Sequence, residues 1–163
     1  MFTGVPGTTL VTPSVAGLTS FFGIDDWPNQ AVEFDLGGRV IDVIPIPGHQ
    51  TSHIALFDRN EGLLLTGDTL YPGRLYISDP NAYAASIHRL VDTVPEADLC
   101  HVLGTHVEMT QMPGVDFPFG ADEHPSEHVL ELSWAHLFEL RDAVDSAAYP
   151  HYEVHDDFIL YPL

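Results

Sequence analysis

Three apolar runs of this chain end alike, in a glycine followed directly or one residue later by a side chain that can bind a metal ion. Arg39 to Pro47-Gly48 leads to His49, Leu63-Leu64-Leu65-Thr66-Gly67 leads to Asp68, and Leu99 to Leu103-Gly104-Thr105 leads to His106. In layered α/β proteins functional side chains collect at strand ends, where the sheet fixes the backbone and the next loop faces solvent. Two imidazoles and one carboxylate suit a borderline cation such as zinc, whereas hard cations prefer oxygen alone. A glycine beside each lets the chain turn sharply and leaves room for an ion. Singly, His49 and His106 read equally as loop histidines and Asp68 as an Asx-turn residue. The repetition is what points to a metal.

The flanking pattern supplies the elements. Thr8 to Thr12 is expected as a short strand and Pro13 to Phe22 as a helix. Val32 to Leu36, Gly37-Gly38 and Arg39 to Ile46 read as a hairpin, because Gly-Gly supplies the positive φ angles of a tight turn. His53 to Asp58 and Leu63 to Thr66 read as a second hairpin. Asp79-Pro80 starts a helix whose apolar face is Tyr83, Ile87, Leu90, Val91 and Val94, with Pro95 just past its end. Leu99 to Leu103 is a further strand, Pro125 to Val144 a second long helix, and Tyr152 to Leu163 an edge strand.

Composition narrows the classes of function. At 163 residues and 45% hydrophobic, the chain suits one globular domain, 1–163, with a core over about 8–145 and a tail over 146–163. Five arginines, no lysine and 24 carboxylates give a net charge of −19. Such a surface repels phosphate backbones and anionic lipid, which argues against nucleic-acid and membrane partners. Cys100, alone and within an apolar run, is expected as a buried thiol, and it excludes an internal disulfide or a cysteine zinc cluster. Met1 to Gly7 carries no basic region, so no signal peptide is readable and a cytoplasmic setting is expected.

Pro47-Gly48-His49-Gln50-Thr51-Ser52-His53, Leu65-Thr66-Gly67-Asp68-Thr69 and Leu103-Gly104-Thr105-His106 resemble, in order, the second half of the metallo-β-lactamase superfamily of binuclear metallohydrolases. The resemblance implies an α/β (α+β) fold, a partial αββα sandwich, with two zinc ions, or else iron or manganese, at one sheet edge. It makes His49 the last histidine of the first metal site, Asp68 the carboxylate bridging both ions, and His106 a ligand of the second. His53 would support the site without ligating, or equally be a strand-start histidine bonded to backbone. Metal-activated water would hydrolyse an ester, thioester, lactone, amide or phosphoester of a small-molecule substrate. Arg74, with Tyr71 and Tyr76 in the loop after Asp68, would border the cleft and hold either a substrate carboxylate or a neighbouring acid.

The family's His-x-His-x-Asp-His motif has no counterpart, since no two histidines here are separated by one residue. The chain reads as beginning after that motif, so no catalytic base can be named and residues 1–163 alone are expected to be inactive. Inner sheet faces should lack cover, so the chain is expected to form a homo-oligomer, aggregate or need a complementing N-terminal segment. The alternative is a non-catalytic remnant, or a domain binding one metal for structure. His124 and His128, four apart at an expected helix start, form a weaker candidate zinc pair. His88, His101, His136, His151 and His155 read as exposed or hydrogen-bonded imidazoles.

Overall fold

Backbone pairing in the computed structural model, which describes residues 4–163, follows the apolar runs closely in the middle of the chain. The elements are α1 (Val15–Phe22), β1 (Val32–Asp35), β2 (Val40–Pro45), β3 (Ile54–Asp58), β4 (Leu63–Gly67), β5 (Arg74–Ile77), α2 (Pro80–Thr93), β6 (His101–Gly104), β7 (Glu131–Leu132), α3 (Trp134–Val144), β8 (Glu153–Val154) and β9 (Ile159–Pro162). A six-stranded sheet runs β1-β2-β3-β4-β6-β7 and a three-stranded sheet runs β5-β9-β8. Residues 1–3 of the N-terminal stretch read above lie outside the described residues.

Register decides what each face of the large sheet carries. Ile44 opposes Ala55, Phe57 opposes Leu64, Leu64 opposes Val102, and Val102 opposes Leu132, so these residues share one face. All are buried in one core with Tyr83, Ile87 and Leu90 of α2 and Leu137, Leu140 and Val144 of α3. The opposite face carries Ile41, Leu56, Leu63 and Leu65, and Leu65 is 42% exposed. Phe21 and Phe22 of α1 meet Phe34 of β1 at ring separations of 5.6 and 5.2 Å, which covers only the β1 end of that face.

Several expectations need correction. Residues 8–12 form no strand, and helix begins only at Val15, after Ser14 accepts a hydrogen bond from the Gly17 amide at 3.1 Å. The helix expected from Pro125 begins instead at Trp134. Residues 126–128 are drawn out against the 109–111 segment by Gln111 N–H to Ser126 O and His128 N–H to Met109 O, both 2.9 Å, and Ser133 then caps α3. Arg74 to Ile77 is a strand and no loop, paired in parallel with β9. The tail therefore supplies a central strand, β9, and one of the two edge strands, β8, of the small sheet. Cys100 is exposed, and β6 starts one residue later, at His101.

Candidate functional site

β4 ends at Gly67, β6 ends at Gly104, and the 47–52 turn follows β2, so all three glycine-ligand motifs leave the large sheet at the same end. Gly67 has φ +57°, and a Cβ there would run into the His53 ring, so the turn that presents Asp68 requires glycine. Asp68 lies between the two histidines. Its Oδ2 is 3.2 Å from His49 Nε2 and its Oδ1 is 3.2 Å from His106 Nε2. Thr105 donates its hydroxyl hydrogen to Asp68 Oδ1.

The tautomer of His49 follows from its other contact. Nδ1 lies 2.8 Å from the Tyr76 carbonyl oxygen, which can only accept, so Nδ1 carries a proton and Nε2 is the nitrogen that faces Asp68. A backbone carbonyl behind the ring is the usual support of a metal-ligating histidine. Two donors about 2 Å from a tetrahedral ion stand about 3.3 Å apart, which the two 3.2 Å approaches match. The donors fit zinc in type and spacing but not in number. Each prospective ion finds one imidazole and one carboxylate oxygen, whereas catalytic zinc takes three protein ligands. Among the described residues, no group of three or more His, Cys, Asp or Glu side chains is arranged to hold a metal ion as it stands.

His53 lies behind this edge, its ring 5.6 Å from that of His49 and its Nδ1 3.2 Å from Thr69 Oγ1. Burial, reinforced by neighbouring His49 and opposed by Asp68, holds its pKa below the ordinary imidazole value. His106 is the exposed member, with 54% of its side chain open and its ring edge-on to Tyr71 at 5.4 Å. A cavity of about 210 Å³ opens beside His49, lined also by Gln50, Thr51, Ser78 and Asp79.

Arg74 is only 5% exposed. Its guanidinium lies 2.5 Å from Asp116 and 3.7 Å from Glu108, and stacks over the Phe119 ring at 4.0 Å. It has found acids of its own chain. His124 and His128 do not form a pair: His124 meets Glu127 at 3.2 Å and stacks on Phe117, while His128 reaches Asp157 at 2.9 Å. His88 meets Asp145, and His136 meets the second oxygen of Asp157. Thr105 and the Tyr76 carbonyl are participants the sequence did not single out, since threonines and backbone carbonyls carry no distinguishing local signal.

Comparison with known proteins gives the family of the chain. The family model described as Metallo-beta-lactamase superfamily matches residues 4–144, and the chain belongs to that superfamily. A hydroxyacylglutathione hydrolase of Aeromonas hydrophila subsp. hydrophila is 32% identical over 139 residues, covering 83% of this chain and 50% of the relative. The acyl-coenzyme A thioesterase MBLAC2 of Gallus gallus is 33% identical over 78 residues, covering 45% of this chain and 28% of the relative. An archaeal metallo-beta-lactamase superfamily protein, ST1585 from Sulfolobus tokodaii, aligns at TM-score 0.44 and 20% identity over 80% of this chain and 43% of that structure. The chain thus spans half or less of the length of these relatives. No helix among the described residues is long and apolar enough to cross a membrane.

Proposed function

We propose that this chain supplies one edge of a binuclear metal site to a hydrolase of small-molecule thioesters, with His49, Asp68 and His106 as ligands. The reading rests on one observation above all: Asp68 offers each of its two oxygens to a different imidazole at 3.2 Å. The substrate class is taken from the relatives' names, hydroxyacylglutathione hydrolase and acyl-coenzyme A thioesterase. Two ions bound there would bring a shared water's pKa toward neutrality and polarise the scissile carbonyl. The chain's own residues orient the donors: the Tyr76 carbonyl fixes the His49 tautomer, Thr105 steadies Asp68, and neutral His53 fills the space behind. Arg74, engaged by Asp116 and Phe119, serves this region's packing and takes no part in binding substrate.

Two donors per ion are too few for turnover, so the remaining ligands come from outside residues 1–163. Purified chain with zinc should show no multiple turnover of an acyl-coenzyme A or acyl-glutathione thioester. Adding a polypeptide that bears a His-x-His-x-Asp-His motif should restore turnover, and Asp68→Ala should abolish it again. Turnover by the chain alone, lost in Asp68→Ala, would overturn the half-site account. The shortage of donors also favours a second reading, a non-catalytic domain of this fold, which gains if no complementing polypeptide restores turnover.

A further inference from the structure

Strand order accounts for one of the two short approaches at the site and leaves the other open. β4 and β6 are neighbours, Gly67 pairs with Gly104, and the Thr105 amide donates to Gly67 O at 3.1 Å, so the sheet itself brings Asp68 beside His106. β2 and β4 have β3 between them, which sets their axes about 10 Å apart at the usual strand spacing. Groups outside β2 and β4 must therefore hold the 47–49 turn and the 68–69 turn together. His53 fills part of the gap and meets the Thr69 hydroxyl at 3.2 Å. The other bridge is α2.

Both turns lean on α2 and on the two residues leading into it. Gly48 O accepts the Ser78 and Asp79 amides, each at 2.9 Å. Buried Ser86 donates its hydroxyl to Pro47 O at 2.6 Å, and Arg89 donates to Pro45 O at 3.0 Å. A Cβ on Gly48 would lie 2.5 Å from Tyr83 Cα, so the turn that presents His49 rests directly on the helix backbone there. At the far end of the same residue, the Tyr83 hydroxyl donates to Thr69 O, the carbonyl that follows Asp68. Tyr83 and Thr69 are both fully buried, so no water can stand in for that bond. Burial also pushes the Tyr83 pKa well above the ordinary phenol value, and the hydroxyl keeps the proton it donates.

We propose that α2 is the template that sets the His49–Asp68 spacing, with Tyr83 and Ser86 as its positioning residues. Tyr83 ties the 68–69 turn to the helix and Ser86 ties the 47–49 turn to it. The functional meaning of this spacing rests on the binuclear reading of the site, whereas the geometry stands without it. Removing the hydroxyl of either residue should open the His49–Asp68 approach and leave the Asp68–His106 approach, held by β4 and β6, at its 3.2 Å. General loosening of the fold would not separate the two.

Crystal structures of the 163-residue chain as Tyr83→Phe, Ser86→Ala and Tyr149→Phe test this, with circular dichroism checking each fold. Tyr149→Phe is the control, because the Tyr149 hydroxyl bonds Pro80 O of the same helix and neither turn. In the first two variants the His49 Nε2 to Asp68 separation should pass about 3.5 Å, out of direct polar contact. Zinc affinity, measured by competition with a chromophoric chelator, should fall about 10–100-fold in both, the usual cost of losing a ligand's orienting partner. It should be unchanged in Tyr149→Phe. Ser86→Ala carries the test if Tyr83→Phe does not fold. A His49–Asp68 separation that stays at 3.2 Å in the folded variants, or an equal loss of zinc affinity in Tyr149→Phe, would overturn the proposal. Unsubstituted chain that binds no zinc would overturn the binuclear reading instead, and the measured separations would still decide the role of α2.

Discussion

Gly67 joins backbone geometry to site chemistry most directly. Its φ of +57° and the His53 ring pressed against its Cα leave no place for a Cβ. Gly67→Ala should therefore cost about 1–3 kcal/mol, the range for a side chain forced into a left-handed and crowded position. Urea unfolding followed by circular dichroism measures it, and an unchanged midpoint would refute it. Tyr149 gives a pH prediction. Its hydroxyl donates to the Pro80 carbonyl oxygen at 3.0 Å, and burial, with the charge of Asp79 adding to it, pushes its pKa up to about 12 from 10.0. The folded state keeps a proton that the unfolded chain releases. This contribution is therefore full below pH 10 and lost as pH rises from there through about 12. Melting temperatures across that window should fall less steeply in Tyr149→Phe, which has no phenolic proton to lose.

Element boundaries follow their caps. Asp79 accepts the Ala82 amide at 3.0 Å and Pro80 occupies the first turn of α2, as Asp-Pro before an apolar 3.6-residue pattern predicts. Asp79→Ala should cost about 1 kcal/mol, read from thermal melts, with α2 retained because its buried face, Tyr83, Ile87 and Leu90, still holds it to the sheet. At α3 the apolar spacing from Val129 misled, since Val129 is 59% exposed and Leu132 belongs to β7. The effective signal was the cap: the Ser133 amide donates to His136 Nδ1 at 3.0 Å, and helix starts at the next residue. β5 escaped notice for a different reason. Its partner is β9, more than eighty residues away, and four residues with buried Arg74 and half-buried Tyr76 among them look like any loop.

For the whole molecule, the large sheet has one face sealed by α2 and α3 and another left with Ile41, Leu56, Leu63 and Leu65 partly open beside exposed Leu36. Such a face favours association, opposed by a net charge of −19. The purified chain should self-associate more strongly as salt screens that charge, and Leu65→Glu should shift it toward monomer without loss of stability. Sedimentation velocity at low and high salt would show this, and a monomer at every salt concentration would refute it. By itself the sequence determined the strand-glycine-ligand runs, the Gly37-Gly38 hairpin and the start of α2, because short-range sterics, capping and the period of apolar residues act between chain neighbours. Tertiary structure alone decided the rest: that Thr105 meets Asp68 across 37 positions, that Arg74 spends its charge on Asp116 and Glu108, and that His155 meets Glu139 of α3. Those contacts form only once the helices and both sheets have packed, and no local preference along the chain encodes which distant side chain will be there.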